Sequence, residues 1–161
     1  MEVQERRSLA FRLLRLGLRA QRRGDLERAV RFYRRSLEVF PTPEGHTHLG
    51  WAYGQQGRFE EAIAECLKAI SLDPDYGNPY NDIGAYLMEQ GRLDEALPWL
   101  ERATTARRYD TPSFPWMNLG RLWEHKGEWH RALDCYKKAM EKDPRFTPAV
   151  EAVARLRALM N

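Results

Sequence analysis

Four histidines and two cysteines are the side chains here best suited to hold a metal or attack a substrate, and their placement argues against both. His46 and His48 lie two residues apart, so on a helix their rings point about 200° away from each other. His125 and His130 flank Gly127, with no cysteine or carboxylate cluster beside them. Zinc needs three or four convergent ligands, and this pattern does not supply them. No Ser-His-Asp arrangement, paired-carboxylate loop or glycine-rich phosphate cradle can be assembled from the chain. The spacing predicts a non-catalytic protein with no metal and no cofactor.

The glycines serve a different purpose. The pattern Gly-x-x-x-x-Ala occurs four times: Gly24 to Ala29, Gly57 to Ala62, Gly91 to Ala96 and Gly127 to Ala132. These glycines recur 33, 34 and 36 residues apart, a period that means stacked helical hairpins rather than one globular core. An apolar-Gly pair precedes each: Leu16-Gly17, Leu49-Gly50, Ile83-Gly84 and Leu119-Gly120. Pro41, Pro74 and Pro144 close three of the four copies. The second glycine suits a helix C-terminus, and the acids after it (Asp25, Glu60, Asp94, Glu128) suit the N-terminus of the next helix. The alanines are small enough for a helix crossing, and the prolines stop the second helix. Large apolar positions of the frame, Tyr33, Tyr53, Tyr80, Trp116, Trp123 and Tyr136, read as core. Residues 1–9 extend the first helix or fray. In the tail from Pro148, Val150, Val153 and Leu156 are spaced to cover the last repeat.

The longer template in each copy, apolar-Gly-x-x-aromatic, then Gly, Ala and Pro, resembles the tetratricopeptide repeat. The second copy carries it most fully, in Leu49-Gly50, Tyr53, Gly57, Ala62, Ala69 and Pro74. The resemblance implies an all-α fold, a right-handed α-solenoid of four helix-turn-helix repeats plus a C-terminal capping helix. One domain would span residues 1–161, with repeats at about 10–42, 43–76, 77–112 and 113–146 and the capping helix at 147–161. About three stacked repeats are needed for stability, and four are present. The implied function is that of a protein-interaction adaptor or scaffold, holding a peptide, helix or protein surface in the concave groove lined by the first helices. Carried onto this chain, the groove positions include Phe11, Leu14, Arg15, Leu18 and Arg22 in copy one and His48, Trp51 and Gln55 in copy two. Copies three and four add Asn81, Asp82 and Met88, then Phe114, Met117, Asn118 and Arg121. Phe11, Leu14, Leu18 and Trp51 are expected to form an exposed apolar patch, and such patches mark interaction sites.

Some members of that family clamp the acidic tail of chaperone peptides with Lys, Asn, Asn, Lys and Arg. Those positions read Leu14, Leu18, His48, Asn78 and Asp82 on the first three copies. On the last three they read Thr47, Trp51, Asp82, Phe114 and Asn118. Neither set is a basic clamp, so that ligand class is not expected. The copies also diverge between the third and fourth, where Arg108 replaces the closing proline and two residues are inserted before Ser113. There Pro112 and Pro115 restrict the linker, and Ser113 reads as an N-cap.

Charge adds two alternatives. Residues 1–42 hold eleven arginines and five acids, a balance of +6 against +3 for the whole chain. An arginine-rich end can attract RNA or another polyanion, although Arg28, Arg31, Arg34 and Arg35 fit a solvated outer face. Self-association through the N-terminal apolar patch, giving a homo-oligomer, is the second alternative. No apolar run of membrane-spanning length is present, and residues 1–9 lack the features of a secretory signal. Cys66 and Cys135 sit two repeats apart, predicting free thiols and a cytoplasmic setting.

Overall fold

The glycines of the repeated frame fall where the chain leaves one helix for the next. Gly24, Gly57, Gly91 and Gly127 have φ between +74° and +80°, the left-handed region that favours glycine. In the computed structural model, which describes residues 1–161, these turns organise nine α-helices with no strand. α1 (Val3–Arg22) pairs with α2 (Leu26–Val39), and α3 (Pro43–Gln55) with α4 (Phe59–Leu72). α5 (Asn78–Glu89) pairs with α6 (Leu93–Thr104), and α7 (Ser113–His125) with α8 (Trp129–Lys142). α9 (Thr147–Met160) packs on α8. The odd-numbered helices α1, α3, α5 and α7 also touch one another in sequence, forming the inner layer of the stack.

Within each hairpin the crossing is made by the small residues. Ala29, Ala62, Ala96 and Ala132 are all fully buried. A Cβ at Gly17 would overlap the Tyr33 ring, and one at Gly120 would overlap Tyr136, so these glycines let each tyrosine lie flat against the first helix. Both tyrosines are fully buried and both hydroxyls are satisfied. Tyr33 donates to Gln21 Oε1 at 2.6 Å, and Tyr136 donates to the carboxylate of Glu124, which occupies the equivalent place three copies later. Asp25 caps α2 by accepting the Arg28 N–H at 3.0 Å. The chain end is tied down in the same way: Arg155 of α9 donates twice to Glu124, at 2.7 and 2.8 Å.

Of the two alternatives for residues 1–9 the structure shows helix extension, with α1 beginning at Val3 behind a capping box between Glu2 and Glu5. Three details differ from the sequence expectation. Ser113 is the buried first residue of α7, with Pro112 in the capping position, so it is not the N-cap. In α9 the covering residues are Ala149, Ala152, Val153 and Leu156, whereas Val150 turns outward and is exposed. Trp116 and Trp123 pack against the core but are only half-buried, with Lys138 and Arg131 lying over their outer ring faces.

The inserted linker between α6 and α7 is fixed rather than loose. Arg108 donates to Asp73 at 2.7 Å and to Glu44 at 3.0 Å, and its guanidinium lies 4.0 Å from the Tyr76 ring centroid. Backbone bonds run from Gly77 N–H to Arg108 O (2.8 Å) and from Arg108 N–H to Asp75 O (3.0 Å). The third linker is thereby laid against the second.

Candidate functional site

Along the inner helices, exposure follows the repeat rather than residue type. Leu14, Thr47, Asn81 and Met117 occupy one template position in the four copies, and all are buried, between 4% and 6% exposed. That position lies at the seam between neighbouring inner helices, and only Thr47 and Asn81 of the four also border a recess. Leu14 is therefore part of the core and is removed from the expected apolar patch, and Met117 belongs to the C-terminal core cluster. Phe11 and Leu18 are half-buried and packed on the same core, as is Met88. Trp51 remains, at 41% exposed, and Phe114 on α7 matches it at 43%. The large exposed apolar groups have moved from the N-terminal end to the middle of the inner face.

Several polar groove residues hold the inner helices to one another. Gln21 donates to Gln55 between α1 and α3, and Asn118 donates to Asn81 Oδ1 at 2.9 Å between α7 and α5. Arg15, Arg22 and Arg121 are exposed.

Between Trp51 and Phe114 lies a recess of about 290 Å³. Helix α3 contributes Thr47, His48 and Trp51; α5 contributes Asn78, Asn81 and Asp82; α7 contributes Phe114. Tyr76, Tyr109 and Thr111 come from the two linkers that Arg108 joins. These last three were not among the residues singled out from the sequence. The signal for them was present in the two-residue insertion and the loss of the closing proline at Arg108. The linker also needs Gly77, since a Cβ there would lie 2.7 Å from Ala106 Cβ and 3.0 Å from Tyr109 Cγ.

The electrostatics of the recess follow from burial. Asp82 is half-buried as a residue, but its carboxyl is desolvated, which pushes its pKa from 3.8 up to about 7 against a lowering hydrogen bond from Asn81. No ion pair in the chain includes Asp82. Asn78 Oδ1 is buried without a hydrogen bond. Burial lowers the His48 pKa, partly offset by Glu44, so its ring is neutral at neutral pH. The His48 ring lies 5.9 Å from that of Tyr33 and 6.1 Å from that of Trp51. The other histidines are dispersed, with His46 bonded to Glu65 at 2.6 Å and His125 to the Arg121 carbonyl at 2.7 Å. No three His, Cys, Asp or Glu side chains converge as a metal site would require. Cys66 and Cys135 are free and buried, and burial pushes the Cys66 thiol well up and that of Cys135 up to about 11. No helix is long and apolar enough to cross a membrane.

Three models of the tetratricopeptide repeat family match residues 14–77, 53–112 and 113–146. The chain is 27% identical over 118 residues to BBSome complex member BBS4 of Bos taurus, covering 73% of this chain and 22% of that protein. It is 31% identical over 108 residues to the type IV pilus assembly protein PilF of Pseudomonas aeruginosa, covering 66% of this chain and 43% of that protein. The chain thus spans less than half the length of either relative. The solved structure of Pseudomonas aeruginosa PilF superimposes with a TM-score of 0.86 at 25% identity, over 94% of this chain and 69% of that one.

Proposed function

The chain belongs to the tetratricopeptide repeat family, and from that premise we propose that it is a non-catalytic scaffold whose concave face holds a segment of a partner protein. The observation that carries this reading is the recess between Trp51 and Phe114, where two exposed aromatic rings flank buried polar atoms. Aromatic anchors beside a pocket are the usual carriers of interface energy. BBS4 is named as a member of the BBSome complex and PilF as a type IV pilus assembly protein, and both names support a scaffolding role here. The free, buried thiols suit a reducing, cytoplasmic setting.

The test is capture from the native lysate by wild type and by a Trp51→Ala, Phe114→Ala double variant. Partners held by the wild type are expected to be lost from the variant, with helicity and melting temperature unchanged. Undiminished capture by the variant would refute the groove.

A second reading has one supporting observation. A cleft of about 420 Å³ between α1 and α2 gathers Arg19, Arg23 and Arg28, with Asp25 as its single acid. If a polyanion binds there, affinity falls steeply from low to moderate salt, whereas capture through the aromatic recess does not.

A further inference from the structure

We propose that the recess takes a cationic side chain, a lysine or arginine borne by the partner segment, with the Asp82 carboxylate as its counter-ion and Trp51 and Phe114 as its walls. This rests on the groove reading and reverses the polarity of a clamp for acidic tails. A buried carboxylate without a counter-charge is costly and is normally paired. Asp82 has the Asn81 amide as its hydrogen-bonding neighbour and no ion pair, and the same recess holds Asn78 Oδ1 buried without a hydrogen bond. Asn78 Oδ1 and the ionised Asp82 carboxylate are both acceptors, so each is matched by a donor and the carboxylate repels an anion. Arg108 does not fill the role, because Asp73 and Glu44 already engage it. The aromatic surroundings favour a cation over a neutral donor, since ring faces attract positive charge.

The other titratable groups around the recess leave Asp82 as the one that changes charge near neutrality. From α3, His48 is neutral and Glu44 is paired with Arg108. From α4 and α5, burial raises the Cys66 thiol and the Tyr86 phenol. From the linkers, burial likewise raises Tyr76 and Tyr109, so both stay protonated. A cation entering the recess displaces the proton that Asp82 holds and releases it to solvent. Binding therefore strengthens as pH rises from 6 to 8, by roughly tenfold for a group ionising near 7.

Small probes test this on the full chain without knowledge of the partner. Methylguanidinium and n-butylammonium chlorides are titrated while the Trp51 indole N–H is followed by nuclear magnetic resonance, assigned through Trp51→Ala. Urea, the neutral mimic of guanidinium, and sodium acetate are titrated at matched ionic strength. Saturable shifts are expected for the two cations, tighter at pH 8 than at pH 6 and at least tenfold weaker in Asp82→Asn. Phe114→Ala, which removes one wall of the recess and the ring's contact with Phe146 at 5.1 Å, is expected to weaken them several-fold while the helical spectrum is retained. Urea shifts equal to those of methylguanidinium, saturation by acetate, an unaffected Asp82→Asn variant, or no saturable shift would each overturn the proposal. If the probes fail while the aromatic double variant still loses its captured partners, the groove stands and the cationic chemistry falls. If the cations saturate while capture is undiminished, the groove reading falls instead.

Discussion

Between about pH 4 and pH 7 the folded chain holds a proton on Asp82 that the unfolded chain has already lost, because the folded carboxyl ionises near 7 and the unfolded one near 3.8. More protons bound in the native state means that stability declines as pH rises through this window and levels off above it. Asp82→Asn removes the dependence. The variant is expected to gain about 1–3 kcal/mol over wild type at pH 8 and little or nothing at pH 4, read from urea midpoints at the two pH values. Two tryptophans separate at the same scale. Trp51→Ala is expected to change the urea midpoint far less than Trp123→Ala, since residue 51 is 41% exposed and belongs to neither core cluster. Trp123 bridges both core clusters beneath Arg131, and its truncation is expected to cost about 2–4 kcal/mol, somewhat below the range for a fully buried ring.

At the scale of the helical hairpin, two kinds of glycine fail differently when given a methyl group. Gly17→Ala drives a Cβ into the Tyr33 ring and is expected to cost about 1–3 kcal/mol through overpacking. Gly24→Ala meets open space, so only its left-handed backbone is penalised, by about 1 kcal/mol. Chemical denaturation ranks the two, and an equal cost would contradict the close-approach role of Gly17. These hairpins were legible in the sequence because the structural demands recur in register: a small residue at the crossing and a glycine at the turn in all four copies, and a proline after the second helix in three. The recess was less legible. Trp51, Asp82 and Phe114 fall on inner-helix positions that the template identifies, yet Leu14 and Met117 fall there too and are buried. Whether such a position faces the groove or the seam depends on how neighbouring inner helices meet, which spacing within one copy does not encode. Tyr76 and Tyr109 lie outside the repeating frame and reach the site only because Arg108 folds its linker back.

Across the whole molecule the core is divided. A cluster of 18 buried residues runs from Leu14 to Cys135, and a second of 8 joins α7 and α8 to α9. In a stack where each repeat leans only on its neighbours, damage at one end spreads by local opening. Leu156→Ala, at a fully buried site, is expected to cost about 2–4 kcal/mol. Hydrogen exchange is expected to accelerate first in α8 and α9, while α3 to α6 stay protected; uniform acceleration would show that the stack opens as one unit. The same arrangement bears on mechanics. A stack of hairpins is a spring, able to lengthen by small rotations at every junction. Arg108 joins the second repeat through Glu44 to both central linkers, and so pins the coils on either side of the recess. Tension applied to the ends would be taken up by the outer turns, and the opening between Trp51 and Phe114 would keep its width under load.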